Sequence, residues 1–392
     1  MPTIRKPYVY AMLLTYCVLF FHTSARLQNS ACGLMSDGTR PSRRRRAHQA
    51  RRGTPATVCQ DQDQAMLPIL VVGGAGYVGS HCCKHLHKAG YLPVVLDNLT
   101  TGHRDFVRWG PLEEGDIRDR EVVLRLLERY QPTAAMHFAA KSLVPESVAA
   151  PDIYYDNNVV GTLNLLQCLQ SRNVKRLVFS STCAIYGARS DLISEDSNKN
   201  PISPYGYSKL VCEQMMDDFS RAYDLQSVRL RYFNAAGADP EAEIGEQHSP
   251  ETHLVPITLD VALGIRDRLQ VYGDDYTTPD GSAIRDYIHV VDLAEAHLKA
   301  LDYLSAGGPS LALNLGSGRG SSVLQVVNAA EMVTGRSIRT ETAPRRPGDA
   351  AVLVADPSQA RARLSWSTEH SDLSEIIGDA WRWHQRRFAG HS

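Results

Sequence analysis

The chain has almost no net charge, few aromatic residues and no apolar run long enough to span a membrane. Lys and Arg total 42 against 43 Asp and Glu, and aromatics make up 7% of the 392 residues. The near balance hides an asymmetry. Residues 1–65 carry Arg5, Lys6, Arg26, Arg40, Arg43 to Arg46, Arg51 and Arg52 against only Asp37, Asp61 and Asp63, so the remainder is mildly acidic. An acidic body argues against nucleic acid as a partner. Cysteine is present but unpatterned: Cys17, Cys32, Cys59, Cys82, Cys83, Cys168, Cys183 and Cys212 contain no Cys-x-x-Cys pair. A chain of this length needs no covalent stapling, so free thiols in a reducing, cytoplasmic setting are expected. His81, His85 and His87 lie close together without acidic or cysteine neighbours, and no metal site is expected. No internal repeat is evident.

The longest apolar stretch, Tyr8 to Phe21, falls short of the about 20 residues that a spanning helix requires. With Arg5 and Lys6 before it and Ser24 and Ala25 after, it reads as a signal or an anchor. The polar, arginine-rich residues that follow lack apolar periodicity and read as disordered. Alternatively, residues 1–65 derive from a start codon assigned too far upstream, because a self-sufficient domain begins at Met66. No stable membrane association is expected for residues 66–392.

From Met66 the pattern changes. Leu67 to Val72 is a short branched apolar run, followed by Gly73-Gly74-Ala75-Gly76-Tyr77-Val78-Gly79 and then a helical segment. A buried parallel strand turning into a helix has this form. Gly73 permits the tight turn, Gly76 lets backbone approach a pyrophosphate, and Gly79 packs helix on strand. The helix start, at Tyr77 and Val78, offers unpaired N–H groups to phosphates. A second strand, Tyr91 to Leu96, ends at Asp97, at the spacing of a ribose-binding acid. A carboxylate there accepts from a 2′-hydroxyl and repels a 2′-phosphate, which favours NAD over NADP. Asp116-Ile117 flanks the adenine or, alternatively, caps a helix over Arg118 to Tyr130.

Strands at Thr133–Phe138, Arg176–Ser181 and Gln226–Phe233 alternate with helices at Pro151–Ser171 and Tyr205–Tyr223. That alternation predicts an α/β fold: a Rossmann-type, doubly wound parallel sheet over residues 66–235. Residues 236–392 are expected to form mainly a smaller mixed α/β substrate-binding domain, with segments returning to the sheet. Tyr205 and Lys209, four residues apart, share one helical face. A free phenol has a pKa of about 10. An ammonium beside Tyr205 would favour the phenolate and make it a usable base. Thr182 follows a strand and presents its hydroxyl at the same edge, where it could pass a proton to Tyr205.

These runs resemble the extended short-chain dehydrogenase/reductase family, specifically UDP-glucose 4-epimerases and their close UDP-sugar relatives. The resemblance covers nearly all of residues 67–385. Besides the glycine turn it rests on Leu96-Asp97-Asn98, Gly115-Asp116-Ile117, Met136-His137-Phe138-Ala139-Ala140, Tyr154 to Val159, Phe179 to Gly187, Ser203-Pro204-Tyr205, Leu230 to Asn234, Arg285 to Val290 and Pro344 to Asp349. It implies an NAD-dependent isomerase that forms a transient 4-keto sugar, works on a UDP-sugar and assembles as a homodimer through helices. Tyr205, Lys209 and Thr182 would be catalytic. Asn98, Phe138, Ala139, Ala140, Asn157 and Phe233 would join the glycine turn, Asp97, Asp116, Ile117, Tyr205 and Lys209 around NAD. Asn234, His253, Leu254, Tyr272, Arg285, Arg346, Asp349 and Leu353, with Thr182, would contact substrate. Arginine independently suits a diphosphate, because its planar fork matches phosphate oxygens.

Some positions depart from the commonest pattern. Thr182 replaces a serine, Val72 a threonine, and Ser142 a lysine found in some members. His253 and Leu353 stand where asparagine and tyrosine are frequent, which leaves open another UDP-sugar, such as UDP-N-acetylglucosamine, UDP-xylose or UDP-arabinose. A 4,6-dehydratase would need an acid/base pair after the threonine, but Cys183 and Ala184 follow it. A catalytically silent NAD-sensing regulator is the alternative outside enzymology, and retention of Thr182, Tyr205 and Lys209 speaks against it.

Overall fold

The branched run Leu67–Val72 forms strand β1, and its side chains alternate between two buried faces. Ile69 and Val71 pack to one side, Leu70 and Val72 to the other. This two-sided burial is why the strand reads as a continuous apolar run. The computed structural model describes residues 66–187, 192–346 and 349–389. The expectations for residues 1–65 lie outside them, as do Pro347 and Gly348.

β1 belongs to a seven-stranded sheet with β2 (Tyr91–Asp97), β3 (Leu112–Glu114), β4 (Ala134–His137), β5 (Arg176–Thr182), β6 (Gln226–Tyr232) and, far along the chain, β10 (Leu311–Leu315). The order is β10-β6-β5-β4-β1-β2-β3, and every pairing is parallel. Helices α1 (Tyr77–Lys88), α2 (Arg120–Tyr130), α3 (Val144–Ala149), α4 (Pro151–Tyr154), α5 (Gly161–Ser171) and α6 (Pro204–Tyr223) connect the strands. One face is covered by Cys83 and Leu86 of α1 with Leu293, Ala296 and Leu301 of a later helix, the other by α2, α5 and α6 through Leu126, Leu165, Cys212 and Met216. This is the expected doubly wound sheet. Its order reverses between β1 and β4, and ligands bind outside the carboxyl ends of strands at such a switch point.

The expected helix over Pro151–Ser171 is interrupted: α4 and α5 are joined by a π-helical segment, Tyr155–Val160. The apolar period could not reveal it, because one wide turn adds a residue without changing composition. Nor is Asp116 the cap of α2. Asp119 is, accepting from the amides of Glu121 and Val122.

Beyond β6 the chain forms shorter pieces. β7 (Asn234–Ala236), β9 (Ile284–His289), β11 (Gly320–Ser322) and β13 (Val352–Leu353) make one small sheet, and β8 (Leu269–Tyr272) pairs with β12 (Thr340–Ala343). α7 (Leu254–Leu263), α9 (Val323–Thr334) and α11 (Leu373–Phe388) share a second core around Leu259, Val326, Ile376 and Trp381. α8 (Val290–Ser305) and α10 (Ser358–Leu364) lie instead against the large sheet. No described helix is long and apolar enough to cross a membrane.

Candidate active site

The glycine turn opens α1 at the carboxyl end of β1. Gly73 has φ +83°, and a Cβ there would lie 2.4 Å from the backbone nitrogen of Ala139. A Cβ on Gly79 would lie 2.2 Å from the Gly73 carbonyl oxygen. Both positions must be glycine for packing reasons. Gly76 differs: its nearest neighbour would be the Gly73 carbonyl oxygen at 3.5 Å. Among the described residues, its chain neighbours aside, no other atom comes within 4 Å of that point, as a turn built for close approach of a ligand requires. No side chain caps α1 and no acid occupies its first turn, so its N-terminal amides are available to an anion.

Asp97 ends β2 and is almost completely buried. Its two carboxylate oxygens accept from the amides of Ala75 and Leu99, each at 2.9 Å. Burial pushes its carboxyl up despite those bonds. Asn98 donates to Asp116 at 3.0 Å, and Arg118 holds Asp116 well below the usual carboxylate range. The Phe138 and Ala139 amides both donate to the Val72 carbonyl, which brings the β4 end against the glycine turn. Ile117 is buried and its carbonyl accepts from Asn164. The donor set, open glycine and buried acid fit a dinucleotide.

At β5 the structure stacks three residues of one strand against three turns of one helix. Ser203 caps α6, accepting from the Gly206 amide at 3.2 Å, and Tyr205 follows in the first turn. Burial pushes the Tyr205 phenol up to about 12, while hydrogen bonding to Thr182 lowers it. Thr182 also accepts from the Ala184 amide at 3.1 Å. Lys209 is 2% exposed. Its Nζ donates to the Ser180 carbonyl at 2.8 Å and sits 4.6 Å from the Phe179 ring centre. Burial lowers it to about 8, against the pull of Cys212 and Glu213. The lysine therefore points to strand backbone, and the phenol is not acidified by the chain alone.

Asn157 donates to Asn158, and Asn158 does the structural work that motif reading missed. Its amide spans the backbone N–H and C=O of Lys141 and donates to Ser208 on α6, at 2.9, 3.0 and 3.0 Å. Its place in the π-helical turn is the structural reason, and wide turns recur at functional sites.

Of the other candidates, Asn234, Tyr272, Arg285 and Leu353 lie on the small sheets, Leu254 opens α7, and Phe233, His253, Arg346 and Asp349 lie in connections. Phe233 is buried in a cluster with Ile185, Tyr186, Ile193 and Ala355 and precedes Asn234, the first residue of β7. Arg285 on β9 pairs with Asp349 and donates to the Ile284 carbonyl at 2.7 Å. Leu353 lies beside Arg285 in register and packs with Ile185 and Tyr186. Arg346 stacks on Tyr272, 3.9 Å from its ring centre, and forms no ion pair among the described residues. Arg345, by contrast, is engaged by Asp275 and Tyr276. His253 precedes Leu254 at the start of α7, its Nδ1 2.5 Å from Glu246. Burial opposes its charge, but Glu246 and Glu251 hold His253 up at about 9. Glu246, His248, Glu251 and His253 place ligand-type atoms within 4.8 Å of one another. Their mutual ion pairing accounts for this. Lys84 does the same for Asp239, Glu241 and Glu243. Sequence reading found neither cluster, since the carboxylates are dispersed along a loop.

A parallel sheet wound on both faces, with a glycine turn at its switch point, defines the dinucleotide-binding class of α/β proteins. A family profile described as the NAD dependent epimerase/dehydratase family matches residues 69–316, and the chain belongs to that family. Among its relatives, the UDP-glucose 4-epimerase of Rhizobium meliloti (strain 1021) is 52% identical over 82% of this chain and 98% of its own length. That of Lacticaseibacillus casei is 48% identical over 83% of this chain and 98% of its own. The crystal structure of UDP-glucose 4-epimerase from Brucella ovis in complex with NAD is similar at TM-score 0.79 and 50% identity, covering 81% of this chain and 98% of that one. The Bifidobacterium longum enzyme in complex with NAD+ and UDP is 36% identical, with TM-score 0.78 over 82% and 99%.

Proposed function

We propose that this chain is an NAD-dependent 4-epimerase that interconverts UDP-glucose and UDP-galactose through a transient 4-keto sugar, in galactose metabolism. One observation carries the reading. Thr182 meets Tyr205 and Ser180 receives Lys209 at the carboxyl end of β5, in a sheet whose glycine turn leaves space at Gly76, in a chain about half identical to such epimerases along nearly their whole length.

Bound NAD would supply a hydride acceptor for C4 that can also return the hydride. The protein supplies the rest. Tyr205 takes the 4-hydroxyl proton and returns it after inversion, with the Thr182 hydroxyl orienting the sugar oxygen and relaying the proton. Burial holds the phenol at about 12. The phenolate therefore forms only where positive charge lies beside it. Lys209, four residues on along the same face of α6, brings a positive charge into the site, and bound NAD+ would add the remainder, since the lysine's own hydrogen bond runs to the Ser180 carbonyl. Arg285 and Arg346 hold the diphosphate, so the keto sugar stays tethered while it turns its other face. Asn234 joins the two arginines at the diphosphate and Asp349 takes the uridine ribose, while His253, Leu254, Tyr272 and Leu353 shape the pocket. Gly73, Gly76, Tyr77, Val78, Gly79, Asp97, Asn98, Asp116, Ile117, Phe138, Ala139, Ala140, Asn157 and Phe233 line the cofactor side.

In this reading residues 66–235 form the cofactor domain and residues 236–392 mainly the sugar-nucleotide domain, with β10 contributing to the first. Free thiols at Cys82, Cys83, Cys168, Cys183 and Cys212 support work in the cytoplasm. Tyr155 and Val160, with Tyr207 and Val211 on α6, are large exposed apolar side chains and support a homodimer formed through helices. Light scattering at micromolar concentration tests the dimer. Incubation of purified protein with UDP-galactose and no added reductant tests the function. UDP-glucose should accumulate to equilibrium, and its absence would sink the assignment.

A further inference from the structure

One buried charged pair stands directly behind the reacting centre and has no part in the chemistry above. Glu213 continues the four-residue spacing of Tyr205 and Lys209 along α6 and is buried with Lys209. Its side chain is 4% exposed and that of Arg231 on β6 is 3% exposed. Arg231 grips Glu213 at two points, its Nε 2.9 Å from Oε1 and a terminal nitrogen 2.6 Å from Oε2. The Ser181 hydroxyl donates to the same carboxylate at 2.6 Å. Ser181 and Arg231 are register partners in the sheet. Arg231 also donates to the Tyr186 hydroxyl at 2.8 Å, which donates to Asn314 of β10 at 2.7 Å. A two-point guanidinium–carboxylate grip fixes orientation as well as distance.

The register of these contacts gives the pair its meaning. Three consecutive β5 residues take three successive turns of α6: Thr182 meets Tyr205, Ser180 receives Lys209, and Ser181 binds Glu213. A buried ion pair is weak evidence for stability, since an apolar pair of equal volume often serves as well. Its directionality can instead specify how the helix sits on the sheet.

We infer that the Glu213–Arg231 pair is a positioning device for the proposed acid–base centre, locking α6 onto Ser181 so that Tyr205 and Lys209 stand at their places along β5. It also places a negative charge behind the lysine. Lys209 is faced by Cys212 and Glu213 from its own helix and by His137 from β4, with Tyr205 one turn earlier along α6; Arg229 and Arg231 of β6 act on it through Glu213. Burial keeps the Cys212 thiol and the His137 imidazole uncharged, with His137 lowered to about 3. Burial also opposes ionisation of Glu213, but Arg231 and Ser181 outweigh it and hold the carboxyl below its usual range. Glu213 is thus the charged group among these that sustains the ammonium.

The proposal rests on the epimerase reading, and the test separates the two. The full chain, Glu213→Gln and Arg231→Lys are compared for kcat, KM and the pH dependence of kcat with UDP-galactose. Glu213→Gln keeps shape but removes the charge. Its kcat should fall on the order of ten- to a hundredfold, as a small misplacement does. KM should stay within about twofold, since the binding of the sugar nucleotide is not altered. The alkaline limb should move down by roughly half a pH unit as the lysine loses its counter-charge. Arg231→Lys keeps a cation beside the buried carboxylate but loses the two-point grip, so it should lose kcat and retain the wild-type limb. A wild-type profile in Glu213→Gln, or wild-type kcat in Arg231→Lys, would overturn the proposal even if either variant melted earlier. An inactive wild-type chain would overturn the epimerase reading and the proposal with it.

Discussion

Replacing Lys209 with methionine should make the protein more stable while nearly abolishing its activity. The lysine is fully buried, its hydrogen bond runs to a neutral carbonyl, and burial lowers it from 10.5 to about 8. At about 1.36 kcal/mol per pKa unit, holding the ammonium charged at pH 7 costs about 3 kcal/mol relative to the unfolded chain. Methionine fills similar volume without charge. It forfeits about 1 kcal/mol with the bond to Ser180, so a net gain of about 2 kcal/mol is expected. The sign of the pH dependence follows. A lysine whose folded pKa is depressed opposes folding fully below that value, and the opposition fades as pH rises toward the unfolded value. The advantage of Lys209→Met should therefore be largest below pH 8 and shrink between about 8 and 10.5. Urea denaturation at pH 7 and pH 9.5 measures it, on protein freed of nucleotide because a ligand bound to the folded state adds its own stability. Turnover should drop by about 10²–10⁴-fold, the range of acid–base contributions. A variant less stable than wild type at pH 7, or a gain that is the same at both pH values, would refute the argument that burial strains this ammonium.

Tyr205→Phe removes only a hydroxyl, so kcat should fall by about 10²–10⁴-fold while NAD content, read after heat release, stays at the wild-type level. NAD should bind at least about a hundredfold more tightly than NADP, since like charges would meet at the Asp97 position, and Asp97→Asn should narrow that gap in a fluorescence titration; equal affinities in wild type would count against the assignment. Leu353→Tyr should shift the kcat/KM ratio toward UDP-galactose and away from UDP-N-acetylgalactosamine by about tenfold, the scale of discrimination by one group in an apolar pocket. An unchanged ratio would mean that Leu353 does not gate the sugar site.

The sequence by itself determined whatever depends on short stretches of chain. The run Leu67–Val72 reads as a strand because it is buried on both faces, and Gly73 and Gly79 announce a turn because no side chain fits there. The four-residue spacing of Tyr205 and Lys209 fixes a shared helical face wherever the helix lies. Tertiary structure decided what those residues meet. The lysine donates to Ser180 and not into open space beside the phenol, and burial raises Tyr205 where sequence reasoning expected it to fall. Desolvation depends on everything packed around a group, which no local pattern encodes. Asn158 and the Glu213–Arg231 pair escaped for a related reason. Asn158 ties together segments 17 and 50 residues away, and Glu213 meets its arginine across 18. Such partners become neighbours only when β4, β5 and β6 assemble beneath α6, so their polar side chains look like ordinary helix and strand residues until the sheet buries them.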